Sequence, residues 1–398
     1  MRQIHVGEFR IGEKERNTIN AVLDSGRVSE GEYVREFEDN FAEYIGTKHC
    51  IAVNSGSSAL LVGLDALRID REFYTNKAIT TPLTYIATTN AIVKARLDPD
   101  FVDVDPYTFG IDTGSLSETL ADINSEIYDV LVLVHLMGYP CEMKIIESIA
   151  KEYSLHVVED AAQAHGTVYD NQKCGSFGIF SIFSFYIAHN IQAGEMGAVC
   201  TNDSDIAEKV RQLKANGRSC KCKVCTRYTG GCAVKEKTGI DPRFNHEFVG
   251  YNFKTTEFTA ALANLQLSRA DEIKKKRLEN VKYLNDELKF LEPNIRLPLY
   301  NENVSYLAYP MVIEGKFKRK QLLNELEHCG VENCPLFGCI PLQQPAYEMY
   351  KSDYENKLKN ARHIGKKGFY IGCHQYLSDD DLEYVVKVFK KLDGTKVE

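Results

Sequence analysis

The stretch "DVLVLVHLMGYPCEMKIIESIAKEYSLHVVEDAAQAHG", residues 129–166, decides the fold. It begins with a near-continuous apolar run, "DVLVLVHLMG". A helical stretch follows, "EMKIIESIAKEY", and then a second apolar run, "LHVVEDAAQA". Apolar runs of this kind suit strands buried on both faces of a parallel sheet, joined by a crossover helix. The same alternation extends outward. "CIAVNSG" precedes "SSALLVGLDAL", "KAITTPL" precedes "TYIATTNAIVKA", and "PDFVDVD" follows; beyond residue 166 come "IFSFY" and "GAVCTND". Repeated strand–helix alternation predicts an α/β layer fold. In such folds ligands gather at the carboxyl ends of the strands.

Further along, residues 204–216 read as a helix and residues 218–248 as an irregular segment rich in Cys, Lys and Gly. Residues 255–291 are strongly helical, with no internal Pro or Gly. After Pro293 the pattern changes to "YLAYPMVIEG", a helix near 317–328 and a last helix near 378–392. These features predict a large domain over 1–285, with a Cys-rich insertion at 218–248, and a small α+β domain over 286–398.

The chain has 398 residues, 44% of them hydrophobic, which is enough for a large core. Its net charge of −8 disfavours nucleic acid as a partner. No apolar run approaches the roughly 20 residues of a membrane span, and the polar start lacks a secretory signal, so a cytoplasmic enzyme is expected. Thiols stay reduced in that compartment, so the 12 cysteines are not read as disulfides.

Several short motifs follow strand ends. "VNSGSSAL" places Gly56 and Ser57 where a strand meets a helix, which suits either a phosphate or a simple Ser cap. "VVEDAAQAHG" ends a strand on Glu159 and Asp160. Asp160 suits a cationic ring nitrogen and Gln163 a ring substituent, with a helix cap or metal ligand as the alternative. Tyr85 in "PLTYIATTNA" suits stacking on a planar ligand or core packing. "GYNFKTTEF" carries Asn252 and Lys254, residues for an anion or for a capping turn.

Together and in this order, SGSSAL, PLTYIAT, FVDVD, HLMG, VVEDAAQAHG, IFSFYIAHN–GE–G and GYN–K resemble the sugar aminotransferase family named after DegT, DnrJ, EryC and StrS. The resemblance spans nearly the whole chain. It implies an aspartate-aminotransferase-like fold, fold type I of the vitamin B6 enzymes. It also implies that Gly56, Ser57 and Ser184 hold the cofactor phosphate, that Tyr85 stacks on the pyridine ring, and that Gln163 meets the ring hydroxyl. Asp160 would pair with the pyridine nitrogen. Asn252 would reach the phosphate in a neighbouring subunit, which implies a homodimer with shared sites.

One position departs from the family. Where the family carries the lysine that binds pyridoxal phosphate covalently, this chain has His189, and no lysine lies between Lys173 and Lys209. Imidazole forms no stable imine, so pyridoxamine 5′-phosphate is the more natural cofactor, with His189 as a proton-transfer group. A histidine here resembles the 3-dehydratase branch, which acts on nucleotide-linked 4-keto-6-deoxyhexoses. By the same resemblance, "CPLFGCIPLQQPAYEMY" borders the sugar site.

"RSCKCKVCTRYTGGC" holds Cys220, Cys222, Cys225 and Cys232, spaced as four local metal ligands. Spacing alone leaves zinc and iron–sulfur open. One enzyme type in the branch, the CDP-4-keto-6-deoxy-glucose 3-dehydratase, carries a [2Fe–2S] cluster in an insertion here. The resemblance therefore implies an iron–sulfur dehydratase fed by a separate reductase. A [4Fe–4S] cluster or zinc stays open, because that enzyme type takes one cysteine from a place where this chain has Ala162. The alternatives are a glutamate-recycled dehydratase or atypical aminotransferase with a structural zinc, and a non-catalytic binding protein on the same fold.

Overall fold

The computed structural model describes residues 2–122, 127–220 and 231–394. Its main sheet uses β1 (His49–Val53), β2 (Lys77–Thr80), β3 (Asp98–Phe101), β4 (Val130–Val134) and β5 (His156–Asp160). After a short hairpin of β6 (Val168–Tyr169) and β7 (Gln172–Lys173), it adds β8 (Phe180–Ser184) and β9 (Gly197–Thr201). The order is β1-β9-β8-β5-β4-β2-β3. All pairings are parallel except those of β9, which runs against both β1 and β8.

The apolar run in β4 reflects burial on both faces. Val130 and Val132 pack into the core under the helices Gly56–Asp70, Ala87–Lys94 and Ser204–Leu213. Leu131 and Leu133 point the other way, into the core under Thr113–Ala121 and Met143–Tyr153. A period-two strand buried on both sides needs an apolar residue at every position. The parallel register sets Val134 opposite Asp160 and Asp160 opposite Ile182, so β4 and β5 end level and β8 runs two residues further, to Ser184.

The helical region 255–291 is not one helix. Glu257–Leu267 and Ala270–Leu288 are separate, followed by a single tight turn at Lys289–Leu291. Between them Arg269 leaves helical geometry (φ −113°, ψ 9°), and the Ser268 hydroxyl donates back to the Leu265 carbonyl at 2.8 Å. Serine can compete with the helix for its own backbone in this way, so the break needs no Pro or Gly. Among its described residues, the expected irregular segment 218–248 contains a short helix, Ala233–Thr238.

The C-terminal part forms an antiparallel sheet in the order β10-β11-β13-β12. Its strands are Ile295–Arg296 (β10), Tyr309–Ile313 (β11), Asn333–Pro335 (β12) and Gly368–Ile371 (β13). Their apolar face shares one core with the helices Ala270–Leu288, Arg319–His328 and Asp379–Asp393. The last is the helix expected near 378–392, and it begins with a capping box from Ser378 and Asp381. Among the described residues no helix is long and apolar enough to cross a membrane.

Candidate active site

A cavity of about 440 Å³ opens at the carboxyl ends of the parallel strands. Gly56, Ser57, Tyr85, Asp160, Gln163, Ser184 and His189 all line it, so seven of the eight sequence candidates for catalysis and cofactor binding meet in one place. Asn252, the eighth, lies outside this cavity. It is exposed and bridges to Ala215 across the turn that follows the helix Ser204–Leu213.

The phosphate end is built by close approach. Ser55 caps the helix Gly56–Asp70, its hydroxyl accepting from the Ser58 N–H at 3.1 Å. A Cβ on Gly56 would fall 2.6 Å from the Ser184 Cβ, and one on Gly197 would fall 2.3 Å from the Ser55 carbonyl group. Only glycine lets the helix start sit against the ends of β8 and β9. The free N–H groups and positive dipole of that helix start favour an anion.

Asp160 is buried at the end of β5. Oδ2 accepts from the Thr88 hydroxyl at 2.8 Å, and Oδ1 accepts from the Ala162 N–H at 3.2 Å. Burial raises its pKa, while these two bonds pull it down. Among the described residues no lysine or arginine forms an ion pair with Asp160, so a cationic ring nitrogen in the cavity would supply the missing countercharge. Gln163 Oε1 accepts from the Met137 N–H at 2.8 Å, which leaves its Nε2 as the donor available to a ligand. Tyr85 is 60% exposed, with Phe337 from the C-terminal part 5.7 Å away, centroid to centroid. The donor set, the desolvated carboxylate and the glycine-shaped cradle fit a pyridine-ring phosphate cofactor.

His189 sits in the loop between β8 and β9. Its Nδ1 is 2.8 Å from the Ser184 carbonyl, which can only accept, so Nδ1 carries the proton and Nε2 keeps a lone pair. Burial lowers its pKa to about 4; the Ser184 bond opposes this and the Arg277 guanidinium adds to it. The ring is therefore neutral near pH 7. Tyr186 packs edge-on against it at 6.0 Å and 76°. Asn190 anchors the turn by donating to the Ser305 carbonyl and hydroxyl at 3.1 and 2.8 Å.

Several lining residues escaped the sequence reading: Thr84, Thr88, Tyr186, Glu195, Phe337 and Tyr370. Thr84 and Thr88 share a hydrogen bond of 2.8 Å. Thr84 sits in the bend before the helix Ala87–Lys94 and Thr88 in its first turn. Phe337 lies in the segment that the resemblance sets beside the sugar site.

The chain matches the model of the DegT/DnrJ/EryC1/StrS aminotransferase family over residues 10–390. GDP-perosamine synthase from Caulobacter vibrioides is 31% identical, covering 96% of each chain. dTDP-4-dehydro-2,6-dideoxy-D-glucose 3-dehydratase from Saccharopolyspora spinosa is 30% identical over 91% of this chain and 80% of that one. The E. coli GDP-4-keto-6-deoxy-D-mannose-3-dehydratase with bound hydrated PLP superposes with a TM-score of 0.86 at 26% identity, covering 98% of this chain and 99% of that one. A GDP-4-keto-6-deoxymannose-3-dehydratase with a trapped PLP-glutamate geminal diamine gives 0.84 at 25%, covering 97% and 100%.

These matches correct the expected iron–sulfur centre. The dehydratases they include were solved with PLP, one of them as a PLP–glutamate adduct. Cys220 and Cys232 are half-buried, and Cys222 and Cys225 lie outside the described residues. Among the described residues no group of three or more His, Cys, Asp or Glu side chains is placed to hold a metal ion, and a structural or cluster site needs that convergence. The iron–sulfur cluster, in either form, and the zinc alternative are therefore withdrawn. The fold is the aspartate-aminotransferase-like, type I B6 fold, and the protein is a B6-dependent enzyme of the nucleotide-sugar 3-dehydratase and aminotransferase group. By the match across residues 10–390 and by these relatives, the chain belongs to the DegT/DnrJ/EryC1/StrS aminotransferase family.

Proposed function

We propose that the protein is a B6-dependent 3-dehydratase of a nucleotide-linked 4-keto-6-deoxyhexose, with its amine cofactor renewed from glutamate. One observation carries this reading. The cavity presents the free Nε2 of His189 and, among the described residues, no lysine lines it. A histidine cannot tether an aldehyde cofactor, but a neutral one can move a proton.

In this reading Gly56, Ser57 and Ser184 hold the phosphate, Tyr85 lies against the ring, Asp160 faces the ring nitrogen and Gln163 Nε2 faces the ring hydroxyl. When bound, the cofactor supplies an amine for the sugar ketone and an electron sink. Asp160, whose carboxylate oxygens accept from the Thr88 hydroxyl and the Ala162 N–H, would face the ring nitrogen and keep that sink charged. His189 Nε2 takes up a proton in the cavity and returns it to the departing hydroxyl, while Nδ1 stays on the Ser184 carbonyl and holds the ring in place. The 3-dehydratase relatives, one of them caught with glutamate on PLP, support the substrate class and the amine donor. Glutamate oxidation supplies the two electrons, so no separate reductase is required.

A homodimer with shared sites belongs to the same reading. It is supported by the exposure of Asn252 and of nearby apolar side chains: Val249 is 99% exposed and Phe244 76%. We also propose that residues 1–285 carry the cavity floor and residues 286–398 its cover, through Leu307, Phe337 and Tyr370.

The test is incubation with pyridoxal phosphate, L-glutamate and nucleotide-linked 4-keto-6-deoxyhexoses. Mass spectrometry should find a 3-deoxy product, with 2-oxoglutarate and ammonia in equal amounts. An amino sugar without a 3-deoxy product overturns the reading. His189→Asn should bind cofactor yet form no 3-deoxy product, and retained dehydration would exclude His189 as the base.

A further inference from the structure

Behind His189 lies a second histidine. His165 is 2% exposed, and neither of its ring nitrogens has a hydrogen-bond partner. It is packed among phenylalanines: Phe185 at 5.2 Å, Phe183 at 5.4 Å and Phe41 at 6.2 Å between ring centroids. The His189 ring is 6.2 Å away at an interplanar angle of 44°, which leaves the two ring edges just beyond direct hydrogen-bond reach.

That placement is costly. Each buried polar atom without a partner costs about 1–3 kcal/mol, and a phenylalanine would fill an aromatic box without that penalty. Burial holds His165 neutral, and the neighbouring His189 and Arg277 oppose its protonation further. His165 is therefore no proton carrier. It keeps one unused lone pair in a medium of low polarity, where dipoles act strongly on a nearby charge.

We propose that His165 is a positioning residue: a buried imidazole, unpartnered at both nitrogens, whose unused lone pair steadies the charge that forms on His189 when its Nε2 accepts a proton. This deepens the dehydratase reading and rests on His189 as the base. The other groups around His189 do not fill that role. Arg277, from the helix Ala270–Leu288, carries a like charge. Asp160 at the end of β5 faces the cofactor ring. Tyr186 and Glu195 from its own loop and Tyr370 from β13 lie on the open cavity. The Ser184 carbonyl is engaged at Nδ1 in both protonation states.

The test compares the parent, His165→Phe and His165→Asn as cofactor-loaded proteins. The 10 histidines are labelled at Cε1, and the His189 resonance is assigned by its loss in His189→Asn. At the lowest pH where all remain folded, His165→Phe should lower the protonated fraction of His189 by about three- to ten-fold, equal to a half to one pKa unit. His165→Asn, which keeps an oxygen lone pair, should restore much of it. Dehydration should fall in His165→Phe with cofactor affinity unchanged. If His165→Phe does not fold, His165→Leu takes its place. An unchanged His189 titration in the apolar variant overturns the proposal, whatever the activity. A shifted titration alongside dehydration that survives His189→Asn would instead overturn His189 as the base and leave the coupling standing.

Discussion

Replacing Thr88 by valine removes one hydroxyl from the cavity wall and keeps the shape of the side chain. The bonds lost are the 2.8 Å donation to Asp160 Oδ2, which is the one that depends on charge, and the 2.8 Å bond with the Thr84 hydroxyl. A hydrogen bond to a charged group contributes about 1.5–3 kcal/mol, so the ionised form of Asp160 loses that much support. The sign with pH follows from burial, which already raises the Asp160 pKa above its ordinary value. A carboxyl raised in the folded state favours folding while it is protonated, and that contribution is lost as pH rises through the folded value. Thr88→Val therefore costs the cofactor-free protein the most at neutral pH and less in acid, where only a neutral hydrogen bond is removed. Urea unfolding of parent and variant at pH 7 and pH 4.5 measures this difference. The expected loss is about 1.5–3 kcal/mol at pH 7 and under about half of that at pH 4.5. A cofactor that needs the ionised carboxylate should bind roughly ten-fold more weakly or worse, since each 1.4 kcal/mol is tenfold, and equilibrium dialysis reads this directly. Equal losses at the two pH values, together with unchanged cofactor affinity, would refute the view that Thr88 holds a charged Asp160 toward the ligand.

The glycine cradle and the histidines give two further expectations. Gly56→Ala sets a Cβ 2.6 Å from the Ser184 Cβ, so it should cost about 1–3 kcal/mol of stability and most of the phosphate affinity; dialysis showing parental binding of pyridoxamine phosphate would contradict the cradle. His189 and His374 both have pKa values lowered by burial from 6.5 to about 4. Their stabilising contribution is present above the unfolded value and is lost as pH falls from about 6.5 to about 4, by about 1.4 kcal/mol per pH unit for each ring. Unfolding midpoints between pH 7.5 and 4.5 should therefore slope less steeply in His189→Asn and in His374→Asn than in the parent, and identical slopes would show that neither ring is held neutral by the fold.

The strand ends were legible because both faces of the sheet are buried. The Val130–Val134 run and "VVED" can be read without knowing their neighbours, and the residues after them then fall at one edge of the sheet. That is how Gly56, Tyr85, Asp160, Gln163 and His189 stand out in separate short motifs, with Ser184 added by the family resemblance. What stayed hidden depends on contact across long sequence separation. Thr88 meets Asp160 from 72 positions away, and Phe337 and Tyr370 come from the C-terminal part, one just after β12 and the other on β13. The break at Ser268 and Arg269 was invisible because both residues are ordinary within a helix. The cysteine spacing misled in another way: it counts potential ligands in a row but carries no information on whether their sulfurs converge.

The reversed strand β9 has a consequence for how this chemistry can diversify. Because β8 and β9 are antiparallel neighbours, the chain between them returns at once, and the loop bearing His189 is closed at its base by the Phe185 N–H on the Met196 carbonyl and the Ala193 N–H on the Phe185 carbonyl, both near 2.9 Å or shorter. No crossover helix depends on that loop. A change at its head leaves the hydrogen bonds of the sheet and the Asp160 end in place, and removes at the cradle only the bond from His189 Nδ1 to the Ser184 carbonyl. The side chain at that head can thus be exchanged without altering the hydrogen-bonded base that holds the loop to the sheet.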